Sequence, residues 1–196
     1  LAAPAYALFH ALRRDTRKGS RANISAHYDL GNDFYRLFLD ETLTYSCGIF
    51  ESPGSSLREA SEAKLERICR KLELNPDDHV LETGTGWGSF ALHAAGRFGC
   101  RVTTTTISKN QFEEATRRIR EAGLEDRVQV LLQDYRDVPG KFDKIVSIEM
   151  IEAVGHQFLG TYFHTCAQRL KPEGQMLLQA ITVADHHFRE HIHTVD

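Results

Sequence analysis

Three glycines stand at every second position, Gly84, Gly86 and Gly88, directly after the apolar pair Val80-Leu81 and the acid Glu82. A strand that runs into glycines and then into a helix lets a ligand approach the backbone closely, and the helix start supplies oriented N–H donors. The dinucleotide fingerprint GxGxxG would need its third glycine at position 89, which is Ser89. It would also need an acid about 20 residues on, at the end of the next strand. That end reads Thr103-Thr104-Thr105-Thr106-Ile107, with no carboxylate. A nicotinamide dinucleotide is a poor match. An acid followed by alternating glycines suits a cofactor that carries an amino-acid end.

Other reactive residues point less clearly. His187-Phe188-Arg189-Glu190-His191 spells HxxEH, with His186 and His193 beside it. On a helix the outer histidines would share a face and could chelate zinc. No third ligand follows in the few residues that remain, so neither a metalloprotease nor a metal site is expected. Cys47, Cys69, Cys100 and Cys166 lie far apart with no CxxC, which suggests neither a zinc knuckle nor a disulfide scaffold and makes a reducing, cytoplasmic setting the default. Arg13, Arg14, Arg17, Lys18 and Arg21 follow the apolar Tyr6, Leu8, Phe9 and Leu12. Such a segment could lie on an anionic bilayer or be a solvated linker.

The elements that must position these residues follow from pattern. Short apolar runs at 79–82, 101–105, 128–132, 144–148 and 175–181 alternate with helical stretches, which reads as repeated βα units and a mainly parallel sheet. Phe90, Ala94 and Phe98 mark one helix; Phe112, Ala115 and Ile119, capped by Ser108, mark a second. A third carries Leu159, Tyr162, Phe163, Cys166 and Leu170 and is stopped by Lys171-Pro172-Glu173-Gly174. Before residue 77 no strand is convincing, and Leu57, Ser61, Leu65, Ile68 and Leu72 give a long amphipathic helix. The fold class is α/β, a doubly wound, mainly parallel sheet of Rossmann-like type. Residues 1–76 form its helical cover and 77–196 the cofactor-binding core, as one integrated domain. The chain has 196 residues, 41% of them hydrophobic and 26% charged, which is enough for one buried core. Its net charge of −3 argues against a nucleic-acid binder. No run approaches the ~18–20 apolar residues of a bilayer span. The start at Leu1 and the end in a polar run at Asp196 suggest a piece of a longer protein.

Four stretches together resemble the cyclopropane-fatty-acyl-phospholipid synthase family, which includes the mycolic acid methyltransferases and belongs to the class I enzymes that use S-adenosylmethionine. They are His27-Tyr28-Asp29-Leu30-Gly31-Asn32-Asp33-Phe34-Tyr35, Leu43-Thr44-Tyr45-Ser46-Cys47, Leu81-Glu82-Thr83-Gly84-Thr85-Gly86-Trp87-Gly88 and Thr106-Ile107-Ser108-Lys109-Asn110-Gln111. A fifth, Ser147-Ile148-Glu149-Met150-Ile151-Glu152-Ala153-Val154-Gly155, agrees in part. The resemblance implies that Tyr45 and Ser46 close over the methionine end of S-adenosylmethionine. Glu82, Gly84, Gly86, Trp87 and Gly88 would receive it, while Thr106, Ile107, Ser108 and Gln111 line its ribose and adenine. Gln111 would replace, with an amide, the acid that most class I methyltransferases carry at that strand end, and Asp134-Tyr135-Arg136 would border the adenine.

The implied reaction moves a methyl group to a cis double bond of an unsaturated phospholipid acyl chain, through a carbocation, to give a cyclopropane or a simple methyl product. Tyr28, Phe34, Tyr35 and Tyr45 are candidates to face the cation. The family's base is a bound bicarbonate. The resemblance implies that Glu152 holds it, with the backbone N–H of Cys47 as donor and the carbonyl of Ile148 nearby. A carboxylate beside bicarbonate is a like-charge pair that needs a shared proton or neutral donors. Gln179 stands where relatives often have a histidine and would be a neutral donor; Ala153 replaces a histidine that commonly follows the glutamate. Cys47 as a covalent nucleophile is disfavoured, because transfer from a sulfonium needs no acyl intermediate. The family places a tyrosine of this site and the last sheet strands beyond residue 196. The setting implied is cytoplasmic and peripheral to the inner face of the membrane, with an anionic membrane surface and an unsaturated lipid as partners, no nucleic acid, and a homodimer left open. A small-amine methyltransferase and a non-catalytic cofactor-binding module remain alternatives.

Overall fold

A computed structural model of the chain describes residues 31–187. Tyr28, the basic segment at 13–21 and most of the HxxEH run lie outside the described residues. Helix α1 (Asn32–Tyr35) and helix α2 (Leu57–Lys71) precede the sheet. Ser56 caps α2: its hydroxyl accepts from Glu59 N–H while Glu59 accepts from the backbone of Ser56, a reciprocal capping box. The buried stripe of α2 runs through Ala60, Ser61, Lys64, Leu65, Ile68 and Cys69.

Five strands follow: β1 (His79–Thr83), β2 (Arg101–Thr106), β3 (Val128–Leu132), β4 (Phe142–Ile148) and β5 (Leu170–Gln179). All neighbours are parallel, in the order β3-β2-β1-β4-β5. The chain winds outward from β1 to β3 and then returns to lay β4 against the other side of β1. In such sheets ligands bind outside the carboxyl ends of the strands where the winding reverses. Here that place is the pair of loops after β1 and β4.

Side chains alternate across the sheet. Val80, Val102, Val128 and Val146 pack under α2, helix α3 (Ser89–His93) and helix α4 (Lys109–Glu121), with Leu65, Ile68, Phe90 and Ile119 in one core. Leu81, Phe142 and Ile145 face the other way, against Tyr162 and Cys166 of helix α5 (Leu159–Arg169). Covering both faces makes the sheet doubly wound. Each of these fully buried large side chains contributes about 1.5–3 kcal/mol of apolar transfer.

Three details differ from the pattern reading. The helix marked by Phe90, Ala94 and Phe98 is α-helical only to His93 and then widens into a π-helical turn, Ala94–Phe98, which keeps both Ala94 and Ala95 in the core. Lys171-Pro172-Glu173-Gly174 does not precede β5 but loops out inside it, because Phe142 pairs with Leu170 and Lys144 with Gln175. Gly174 is needed there, since a Cβ would stand 3.0 Å from the carbonyl oxygens of both Asp143 and Lys171. Strand β5 ends at Gln179 rather than 181. Its partner β4 leaves the sheet at Glu149, whose φ of 46° turns the chain away.

Candidate active site

The glycine loop is held by β2. The N–H groups of Gly84 and Thr85 both donate to the carbonyl of Thr105 at 3.1 Å. All three glycines have positive φ, 96°, 52° and 87° in order. Their surroundings differ. A Cβ on Gly84 would meet the Met150 side chain at 3.2 Å, and one on Gly88 would meet Ala115 at 3.3 Å. At Gly86 no atom of the described residues lies within 4 Å of such a Cβ. The first and third glycines therefore let the loop after β4 and helix α4 come close, while the middle one opens onto free space.

Beneath the loop, Glu82 is 3% exposed and, among the described residues, its Oε2 has no hydrogen-bond partner. Burial pushes its carboxyl up to about 8, against a smaller opposing effect of the Thr104 hydroxyl. A buried acid with an open oxygen beside a backbone cradle fits the cationic amino-acid end of S-adenosylmethionine, the group implied for this loop. Thr104 Oγ1 donates to Thr85 Oγ1 at 2.7 Å, tying the loop to β2.

The strand ends place the other cofactor candidates along one edge. Thr106 donates its hydroxyl to Oε1 of Gln111 at 2.8 Å and accepts from Ser108 N–H at 3.1 Å; Ser108 in turn caps α4. Ile107 lies between them, half-buried. After β3, Asp134 holds the Arg136 guanidinium at 2.8 and 2.6 Å, and that guanidinium lies 5.5 Å from the Tyr135 ring centroid. Tyr135 itself packs edge-on to Tyr162 of the second core.

The loop after α1 closes the other side. Tyr45, 46% exposed, stands edge-on to Tyr35 at 5.3 Å and to Trp87 at 6.5 Å. Trp87 donates its indole N–H to Asn32 at 2.8 Å. Of the aromatic candidates, Tyr35 is core, whereas Phe34 and Tyr45 are partly exposed. Ser46 accepts from the ammonium of Lys64.

Cys47, Glu149 and Gln179 meet at the carboxyl edge of β4 and β5. Oε1 of Glu149 accepts from Cys47 N–H at 3.0 Å and from Gln179 Nε2 at 2.8 Å. Gln179 Nε2 is also 3.2 Å from Cys47 Sγ, and Glu149 N–H donates to the Gln179 carbonyl at 2.9 Å. Ile148 pairs with Gln179 across the ladder, so it lies beside the cluster. Glu152 is exposed and does not join it; its Oε1 accepts from Ile181 N–H at 2.6 Å. Burial and the Glu149 carboxylate raise the Cys47 thiol above its ordinary value, with Lys64 and Gln179 opposing. These surroundings favour the thiol over the thiolate, which disfavours the sulfur as a nucleophile.

Sequence reasoning passed over two of these residues. Glu149 stood in a quoted motif, but Glu152 took the role. Lys64, only 2% exposed, was unmarked. Its place four residues from both Ala60 and Ile68 on the buried stripe could have revealed it. His187 ends a short 3-10 turn, Asp185–His187, and among the described residues no group of three or more His, Cys, Asp or Glu could hold a metal ion.

The profile of the mycolic acid cyclopropane synthetase family matches residues 15–195. The chain is 41% identical over 186 residues to the tuberculostearic acid methyltransferase UfaA1 of Mycobacterium tuberculosis, covering 91% of this chain and 43% of that protein. It is 44% identical over 155 residues to the cyclopropane-fatty-acyl-phospholipid synthase of Escherichia coli K12, covering 79% of this chain and 39% of that one. Its structure is similar to that of the mycolic acid cyclopropane synthase CmaA1 complexed with SAH and CTAB, with a TM-score of 0.77 and 37% identity over 81% of this chain and 55% of the other. The chain thus spans about half, or less, of the length of these relatives.

Proposed function

The chain belongs to the mycolic acid cyclopropane synthetase family, and from that premise we propose that it is the cofactor-binding and reacting part of an enzyme that methylates the cis double bond of unsaturated phospholipid acyl chains. The observation that carries this reading is the meeting, across the β1/β4 switch point, of an open glycine cradle, a half-exposed aromatic wall and a hydrogen-bonded carboxylate. The likeness to a structure complexed with SAH supports S-adenosylmethionine as the donor. Bound there, it supplies a methyl group activated on a sulfonium.

Glu82 and the backbone around Gly86 hold the amino-acid end, and Thr106, Ile107, Ser108 and Gln111 border the nucleoside. Tyr45 and Trp87 close the cradle from the side of α1. An alkene is a poor nucleophile, so the protein must hold it in line with the methyl and keep water away. The faces of Phe34 and Tyr45 suit the developing cation, each worth about 1–2 kcal/mol once desolvated. Methyl transfer from a sulfonium calls for no acyl-enzyme, so Cys47 needs no nucleophilic role. A lipid substrate also suits peripheral contact with an anionic membrane; among the described residues no helix is long and apolar enough to cross one.

The test is incubation of the full-length protein with labelled S-adenosylmethionine and monounsaturated phospholipid vesicles. A gain of one CH₂ with loss of the alkene is the cyclopropane outcome, and the same gain in a branched chain that keeps a double bond is simple methylation. Label found only on soluble amines refutes the reading.

A further inference from the structure

The family's bicarbonate does not fit the donors that this chain presents. Cys47 N–H and Gln179 Nε2 converge on one point, and Oε1 of Glu149 already occupies it at 3.0 and 2.8 Å. A second anion at the same donors would set two negative charges about 4 Å apart, which costs on the order of 4 kcal/mol at the effective dielectric of a protein surface. The position is also built at a cost. Among the described residues Glu149 is one of three non-glycine residues with positive φ, at 46°, and such strain persists only where the surroundings enforce it. The surroundings are visible: Glu149 N–H is fixed to the Gln179 carbonyl, and Met150 is packed against Gly84 of the cradle. The buried ammonium of Lys64 lies in the field of the Glu149 carboxylate and of Cys47.

We propose that the carboxylate of Glu149 replaces bicarbonate as the proton acceptor of the reaction. The proposal rests on the acyl-alkene reading above. The alkene π pair forms a bond to the methyl carbon as that carbon's bond to sulfur breaks, with the pair left on sulfur, and positive charge appears on the neighbouring acyl carbon. A carbon–hydrogen bond then breaks, that of the newly added methyl for ring closure or that of the carbon next to the cation for a double bond. Its proton goes to Glu149, and its electron pair closes the new carbon–carbon bond of a ring or of a double bond. Glu149 becomes a neutral carboxylic acid and returns its proton to water, which its half-buried position allows. Glu152, three residues on and hydrogen-bonded to Ile181 N–H, has no part in this step.

The experiment compares full-length wild type with E149G and E149Q in carbon-dioxide-stripped buffer, with and without added bicarbonate. Glycine tolerates the positive φ and frees both donors, so E149G keeps the backbone and opens the anion position. Wild-type turnover on monounsaturated vesicles is expected to ignore bicarbonate. Both variants should lose about 100-fold or more, the usual worth of a positioned base, with cofactor affinity kept. Added bicarbonate should restore E149G by about 10-fold or more and leave E149Q inactive. Labelled bicarbonate observed by NMR should broaden with E149G and not with wild type. Wild type that needs bicarbonate or binds it, or a variant as active as wild type without it, overturns the proposal. Wild type that binds the cofactor yet methylates no lipid in either buffer overturns the acyl-alkene reading instead, and the NMR comparison still decides who holds the anion position.

Discussion

The carboxylate of Glu149 and the backbone N–H of Cys47, 102 residues apart in sequence, meet at 3.0 Å. The contact joins the loop after α1 to the end of β4, and so links the loop beside the glycine cradle to the element that carries the proposed proton acceptor. Gln179 fixes the pair from a third side, through a single amide nitrogen shared between oxygen and sulfur.

Cys47 reports on this arrangement directly. It is the exposed one of four free cysteines, so alkylation reads it selectively. Glu149 disfavours its thiolate and Lys64 favours it. E149Q should therefore raise the alkylation rate at mildly alkaline pH, and K64M should lower it. Rate–pH profiles with iodoacetamide check both signs, and profiles identical to wild type would contradict the geometry.

Glu82 makes stability depend on pH. Its folded carboxyl titrates at about 8 against an ordinary 4.5. The folded protein keeps a proton that the unfolded chain releases in that window. Stability from this group is therefore complete below about pH 4.5 and lost as pH rises to about 8. Thermal melts of wild type should decline across that window, while E82Q stays flatter. Cofactor binding near neutrality should release close to one proton in wild type and none in E82Q, measured by calorimetry in buffers of different ionisation enthalpy.

The glycines separate by what surrounds them. G88A adds a Cβ 3.3 Å from Ala115 at a φ of 87°, so it should cost about 1–3 kcal/mol and lower the melting temperature. G86A meets no atom of the described residues within 4 Å and sits at a milder φ of 52°. It should spare most of the stability and instead weaken cofactor affinity by about 10-fold or more, because its methyl fills the cradle. Melts and binding isotherms on the same samples decide.

Gly174 tests the looped-out segment of β5. A Cβ there would stand 2.9 Å from a Leu170 methyl and 3.0 Å from two backbone oxygens, which cannot step aside as a side-chain end can. G174A should cost about 1–3 kcal/mol by the measure of overpacked sites. An unchanged denaturation midpoint would mean the segment pairs differently.

Much of the fold was legible because burial writes itself into short apolar runs. The runs at 79–82, 101–105 and 128–132 come within a residue of β1, β2 and β3. The glycine loop was legible for the same local reason, since its conformation depends on its own residues. What stayed hidden depends on long-range geometry. Lys-Pro-Glu-Gly reads as a stop, and only the pairing of Phe142 with Leu170 shows it to be an insertion within a strand. The contact of Glu149 with Cys47 depends on a side chain that points back after a positive-φ turn, which no spacing rule encodes. Lys64 read as one more charge on an amphipathic helix because its partners lie in a loop eighteen residues earlier and at the end of β4.

Trp87, the chain's single tryptophan, is seated between two glycines of the cradle, 2% exposed and 4.7 Å from the Tyr35 ring. The molecule thus carries its own optical gauge. Emission from that indole, excited directly or by transfer from the nearby phenols, must register any event that fills the turn or shifts the aromatic side wall. A fluorescence titration can therefore follow occupancy without a label or a turnover assay.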